Sequence, residues 1–80
     1  MPVILRANGF VVKIYTFDHD PPHVHVFDAD GQSIITLGEV TQAPTFREIR
    51  RMKPHNAVRA LALVREHKLT LLAEWSDVHG

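Results

Sequence analysis

The dipeptide Asn8-Gly9 constrains the fold most, because it separates two runs rich in β-branched and aromatic residues. Both residues of a two-residue hairpin turn need positive φ angles, which asparagine and glycine adopt most readily. We therefore predict a β-hairpin of Val3–Ala7 with Phe10–Phe17. The two-residue loop pairs six apolar residues on one face of this hairpin: Ala7 with Phe10, Leu5 with Val12, and Val3 with Ile14.

A second turn signal, Asp30-Gly31, predicts a hairpin of His23–Ala29 with Gln32–Leu37. Side chains alternate between the two faces of a strand, and directly opposed residues share a face. One face of this hairpin is therefore apolar and carries Val24, Val26, Ile35 and Leu37. The opposite face carries His23 and His25, and a shift of one residue would move both histidines into the core.

The C-terminal part of the chain follows a helical pattern. From Pro54 to Trp75, apolar residues recur at three- and four-residue steps, and proline suits the first turn of a helix. Arg65 and Lys68 fall within this apolar stripe. The helix must therefore either lay their aliphatic stems along apolar surface or bend near Glu66–Leu69.

The predicted elements form a single domain, residues 1–80. Residues 1–44 are the hairpin sheet, residues 45–53 are ambiguous, and residues 54–78 are the helix. The ambiguous part begins like a helix but sustains no apolar stripe, so we favour an extended fifth segment at Phe46–Arg50. The predicted fold is α+β: a small antiparallel sheet of two hairpins, with this fifth strand, backed on one face by a long C-terminal helix.

The composition excludes several classes of protein. The chain has no cysteine, which excludes disulfides and thiolate metal sites, so any metal must bind His, Asp or Glu. No stretch approaches the roughly 20 apolar residues of a transmembrane helix, and we expect a cytoplasmic protein without membrane contact. Residues 1–44 carry a net charge of −3 and residues 45–80 a net charge of +3. This asymmetry fits a nucleic acid or an acidic partner, and it also fits a solvated basic helix face.

The segment richest in chemically active side chains is Asp18–Val26, which holds three histidines and two aspartates around two prolines. In a strand, His23 and His25 point the same way with Cα atoms roughly 6.5–7 Å apart, so both imidazoles can reach one metal ion or one phosphate. With His19 or Asp18 as the third ligand, the segment predicts a site for zinc or nickel. The alternative is that the histidines are only polar residues on a solvated sheet face.

Two other functions fit the same face of the sheet. A metal-independent ribonuclease would use His23 and His25 as general acid and base, although the surrounding aspartates would repel a nucleic-acid backbone. A protein-binding module would use the aromatic face that the helix leaves open, with Tyr15, Phe17 and Phe27 as contact residues. We favour the binding module, with a small protein partner or a second copy as a homodimer, and this function is compatible with a metal site.

Three segments of the chain together carry a family resemblance: Met1–Arg6 before Gly9-Phe10, the central Asp18–Val26, and Leu71–Trp75 with His79-Gly80. They are similar to the domain-of-unknown-function 4160 family of small bacterial proteins. The resemblance implies a gene that lies beside the gene of another small protein, and a role as a component of a toxin–antitoxin-type operon. It supplies no catalytic residues beyond the matching His and Asp positions, and Thr41–Arg51 matches the family least well.

Overall fold

The computed structural model describes residues 3–80, in which five strands form one antiparallel sheet and two helices follow it. The elements are β1 (Val3–Ala7), β2 (Phe10–Lys13), β3 (His23–Phe27), β4 (Gln32–Thr36), β5 (Thr45–Arg50), α1 (Pro54–Glu66) and α2 (Lys68–His79). The sheet order is β1-β2-β3-β4-β5, so each strand pairs with its neighbours in the sequence. The predicted α+β class is confirmed. Met1 and Pro2, which begin the first segment of the family resemblance, lie outside the described residues.

The first hairpin forms at the predicted turn, where φ is 55° at Asn8 and 83° at Gly9. Two of the three predicted pairs are present: Ala7 with Phe10, and Leu5 with Val12. The third prediction is wrong, because Val3 pairs with Lys13 and not with Ile14. The register shifts at an irregularity before Leu5, which is the usual effect of a β-bulge.

The strand β2 is shorter than predicted. It ends at Lys13, and the predicted continuation to Phe17 is a turn that the backbone N–H of Asp18 closes by donating to the carbonyl of Tyr15, at 3.1 Å. Ile14 is still fully buried beyond the end of the strand. The consequence is that the chain folds back early and brings Asp18 towards β3.

The second hairpin turns through Asp28–Gly31, which is two residues longer than the predicted turn. The backbone N–H groups of the third and fourth turn residues both donate to Asp28 Oδ1, at 2.8 and 2.7 Å, and so hold the longer turn. His25 therefore faces Ile34, where the two-residue turn predicts Thr36. A shift of two residues keeps every side chain on its predicted face, and the four predicted apolar residues are fully buried: Val24, Val26, Ile35 and Leu37.

Asp28 also links this turn to α1, because its Oδ2 accepts a hydrogen bond from Asn56 Nδ2 at 2.9 Å. Partial burial raises the pKa of Asp28, but the hydrogen bonds from Gly31, Asp30 and Asn56 lower it more, so the pKa lies below its ordinary value of 3.8. The charged carboxylate therefore stabilises the fold above the unfolded-state pKa. That contribution is lost as the pH falls through the folded-state pKa.

We predict that Asp28→Ala lowers the free energy of unfolding by about 2 kcal/mol at neutral pH, because charge-assisted hydrogen bonds are lost. The difference from the wild type should shrink below about pH 4, where the wild-type carboxylate also becomes protonated. Chemical denaturation at a series of pH values measures this difference. Asp30→Ala, which removes an exposed carboxylate from the same turn, is the matched control. A difference that stays constant across the pH range would contradict the assigned role of Asp28.

The predicted extended segment is confirmed as the edge strand β5, which pairs with β4. The register shifts by one residue within this pair, so that Glu48 faces Ile34 while Phe46 faces Ile35. Arg47 lies between them, in the position of the extra residue of a β-bulge. The pairing places part of the basic second half of the chain in the same sheet as the histidines of β3.

The predicted C-terminal helix forms as two helices, α1 and α2, with a bend at His67. The two basic residues of the apolar stripe differ in environment, since Arg65 is exposed and Lys68 is buried. The Lys68 ammonium donates to the carbonyls of Glu39 and Gln42, which ties the start of α2 to the loop before β5. Within residues 3–80, no helix is long and apolar enough to cross a bilayer.

The core lies between the apolar sheet face and the two helices. The helices contribute Ala57, Ala60, Leu63, Val64, Leu71 and Trp75. The sheet side contributes Phe10, Val12, Ile14, Val24, Val26, Ile35 and Leu37. The opposite sheet face carries two cross-strand rows of half-buried and exposed residues. The rows are Arg6, Val11, Phe27 and Gln32, and next to them Lys13, His25, Ile34 and Glu48. We call this surface, together with the adjoining side chains of Tyr15, Phe17 and Arg50, the open face.

Candidate metal centre

Asp18 is the acidic residue of the site, and the turn after β2 holds it in place. Besides the backbone bond to the carbonyl of Tyr15, its Oδ2 accepts the backbone N–H of Tyr15 at 3.2 Å. Its side chain is only 9% exposed. A carboxylate that is this buried is costly unless it has close polar partners, and His23 and His25 are those partners.

His23 begins β3 and is held from two sides. Its Nδ1 lies 2.9 Å from the carbonyl oxygen of Pro21, so Nδ1 carries a proton and donates it. The indole of Trp75 packs against the ring with the centroids 5.1 Å apart, and His23 is only 4% exposed. Strand alternation alone predicts that the His23 side chain faces solvent, whereas Trp75 of α2 covers it. Its Nε2 faces Asp18 Oδ1 at 3.5 Å.

His25 lies two residues further along the same face of β3. Its Nε2 is 3.1 Å from Asp18 Oδ2, and its ring is 5.4 Å from that of His23. The edge of its ring meets Tyr15, with a centroid distance of 4.8 Å. The two imidazoles therefore approach one carboxylate from neighbouring positions on the strand, as the i, i+2 spacing predicts.

The three side chains form a group that can bind a metal ion. One nitrogen from each histidine and one oxygen from Asp18 all lie within 4.8 Å of one another. Because Nδ1 of His23 donates its N–H to the Pro21 carbonyl, the neutral ring has a lone pair on Nε2, which lies 3.5 Å from Asp18 Oδ1. Two acceptors that face each other need a proton or a cation between them.

The fourth predicted ligand, His19, lies outside this group. It is exposed and lines a cavity of about 290 Å³ that also borders Asp18 and Trp75. Of the two residues predicted as alternative third ligands, the structure thus brings Asp18 to the histidine pair and leaves His19 at the adjoining cavity.

The three predicted contact residues lie beside the site at one end of the open face. Phe17 is 71% exposed and stacks on Tyr15 with a centroid distance of 5.2 Å, whereas Tyr15 and Phe27 are half-buried. Lys13 Nζ lies 4.9 Å from the centroid of the Phe27 ring. A groove of about 420 Å³ runs between these rings and includes His25, so the predicted partner surface and the predicted metal site share a side chain.

Three neighbours of the site were outside the sequence-based prediction. Trp75 was predicted as a core residue, which it is, but its contact with His23 has no signal in the helical pattern. His79 stacks on Trp75 at 3.9 Å, and its two ring nitrogens face the carbonyls of Trp75 and Tyr15 at 2.9 and 3.1 Å. Arg47 Nη1 lies 3.5 Å from His23 Nδ1. Because His23 Nδ1 itself donates to the Pro21 carbonyl, the Arg47 guanidinium is a neighbouring positive charge and not a hydrogen-bond donor to the ring.

Comparison with known families accounts for most of the chain. The family model described as a domain of unknown function, DUF4160, matches residues 9–76. The chain belongs to the DUF4160 family. The matched region of this DUF4160 protein contains Asp18, His23, His25 and Trp75, so the whole group and its cover lie within the family domain. Comparison with curated proteins and with solved structures gives no significant match.

Proposed function

We propose that this DUF4160 protein is a small binding module that holds one divalent transition-metal ion at Asp18, His23 and His25. The observation that carries the proposal is the convergence of one carboxylate oxygen and two imidazole nitrogens within 4.8 Å in a nearly buried position. Imidazole nitrogen favours zinc or nickel among the common divalent ions. Three protein ligands leave a position open for water, for a small ligand or for a residue of a partner.

The distances and the surrounding hydrogen bonds support this proposal. Each imidazole approaches one oxygen of the same carboxylate: His23 Nε2 lies 3.5 Å from Asp18 Oδ1, and His25 Nε2 lies 3.1 Å from Asp18 Oδ2. Tetrahedral zinc with bonds of about 2.1 Å keeps its ligand atoms about 3.4 Å apart, so small side-chain rotations would bring these atoms to one ion. Metal-binding histidines commonly donate their second ring N–H to a backbone carbonyl, as His23 does to Pro21. The backbone N–H of Tyr15 orients the carboxylate in the same way.

Metal analysis of the untagged protein tests the proposal directly. We expect about one equivalent of zinc or nickel per chain after purification without chelator, or after loading and removal of free metal. Protons compete with metal for the imidazole nitrogens, so the affinity measured by calorimetry should be lower at about pH 5.5 than at about pH 7.5. Protein that remains metal-free after loading at the higher pH would contradict the proposal.

The ribonuclease alternative uses His23 and His25 as general acid and base. The 5.4 Å between their rings and the contact of His25 with Asp18 favour it, since a carboxylate commonly orients a catalytic imidazole. The burial of His23 under Trp75 weighs against it, because both histidines must reach a phosphodiester. We therefore place metal binding first.

The second part of the proposal is a small protein partner that contacts the open face through Tyr15, Phe17 and Phe27. A large aromatic side chain that is as exposed as Phe17, beside a groove on a small domain, is typical of a contact surface. We propose that this contact takes place in the cytoplasm, between the components of a toxin–antitoxin-type operon. The shared position of His25 would place the partner next to the metal.

A further inference from the structure

The charges of the open face come from distant parts of the chain. Arg6 from β1 and Lys13 from β2 lie on it by the register of the cross-strand rows. Arg50 of β5 lines the groove with His25, and Arg47 reaches His23. Two acidic residues accompany these four basic ones: Glu48, which pairs with Arg50, and Asp18, which contacts His25. The face is therefore positively charged, although the chain as a whole has a net charge of zero.

Among the three rings Tyr15, Phe17 and Phe27, only Phe17, which is 71% exposed, presents a largely free ring face. One side of Phe17 is stacked on Tyr15, and the ring of Phe27 lies under the ammonium of Lys13. Single-stranded nucleic acids bind by stacking successive bases on exposed aromatic faces, so this arrangement disfavours them. The groove also contains Ile34, whose aliphatic side chain suits an apolar side chain better than a base. These contacts favour a protein occupant.

A second copy of the chain is disfavoured on this surface by symmetry. In a two-fold dimer the same patch meets itself, so the basic residues of one copy would approach those of the other. Like charges that are brought together across an interface cost several kcal/mol, which opposes the association of two copies. The occupant should instead carry the opposite charge.

We infer that the partner of the open face is an acidic protein segment. Its carboxylates meet Arg6, Lys13, Arg47 and Arg50, and an apolar side chain enters the groove beside Phe17 and Ile34. The inference rests on the partner surface proposed above and does not depend on metal at Asp18. It adds the chemistry of the partner, which the exposed aromatic residues alone do not define.

Selection from a displayed library of short random peptides tests this inference without presupposing a sequence. We expect the enriched peptides to combine several Asp or Glu residues with at least one large apolar residue. Arg47→Glu and Arg50→Glu should each weaken their binding by about tenfold or more, because a favourable charge contact becomes a repulsive one. Arg65→Glu, an identical change at an exposed position of α1, is the matched control and should leave binding unchanged.

Other outcomes of the selection, and two further measurements, would overturn the inference. Enriched peptides without an acidic bias, the same loss with Arg65→Glu, or no enrichment at all would exclude an acidic segment. Tighter binding of labelled oligouridine or oligothymidine than of the best peptide would assign the face to nucleic acid. A dimer in light scattering that Phe17→Ser dissociates would assign it to a second copy. Running the selection on both zinc-loaded and chelator-treated protein separates failure of the partner surface from failure of the metal site.

Discussion

Val24→Asp should abolish cooperative unfolding and leave an unfolded or aggregated chain. Val24 is 0% exposed, lies on the core face of β3 and pairs with Ile35, which is equally buried. An uncompensated buried charge costs about 3–5 kcal/mol, and the lost apolar packing adds to that cost. The whole stability of a small domain is about 5–15 kcal/mol, and a chain of this length belongs near the lower end. Circular dichroism during thermal melting measures the result.

The same substitution at Val58 is the matched control. Val58 is 67% exposed on α1, so Val58→Asp should change the free energy of unfolding by no more than about 0.5 kcal/mol. His25→Ala tests the same assignment of faces on the opposite side of β3. It removes a side chain from the open face, so it should lower the free energy of unfolding far less than Val24→Asp does. If His25→Ala unfolds the protein and Val24→Asp does not, the faces of β3 are interchanged.

The double substitution His23→Ala/His25→Ala should reduce zinc or nickel affinity by at least about 100-fold. It removes two of the three proposed ligands, whereas the loss of a residue that merely orients a ligand already costs about 10–100-fold. Asp18→Asn should also weaken binding, because a neutral amide replaces the carboxylate. Calorimetric titration of metal-free protein at about pH 7.5 measures all three affinities.

His19→Ala and His55→Ala are the controls for that titration. His19 lies at the adjoining cavity and His55 is exposed at the start of α1, so both variants should bind metal like the wild type. Binding that survives the double substitution would leave the Asp18–His25 segment as a structural turn. Binding that is lost in His19→Ala and kept in Asp18→Asn would show that His19, and not Asp18, is the third ligand.

The fold was predictable where short-range chemistry determines it. Asn8-Gly9 sets the first hairpin because both residues adopt positive φ, and a two-residue turn of this kind matches the twist of the strands. The second turn was predicted two residues too short because Asp28 adds side-chain hydrogen bonds that a dipeptide signal does not include. The faces were nevertheless correct, since side chains alternate with a period of two and the error was also two.

The site was predictable to the extent that its atoms are close in the sequence. Asp18, His23 and His25 fall within eight residues, so strand geometry and a turn suffice to bring them together. The burial of His23 depends on Trp75, more than fifty residues away, and no local pattern connects the two. The basic character of the open face depends in the same way on β5, whose pairing with β4 brings Arg47 and Arg50 to the histidines.

The simple strand order has a consequence for the sequence of events at the ribosome. A sheet whose neighbours in space are neighbours in the chain can form hairpin by hairpin as each strand emerges, with only short loops to close. Asp18, His23 and His25 have all been synthesised once β3 is complete, whereas the indole that covers His23 arrives only with the last helix. Until then His23 lacks its cover, so at the metal site proposed above an ion would reach His23 before α2 docks, and Trp75 would afterwards shield that side of the site while His25 still borders the groove.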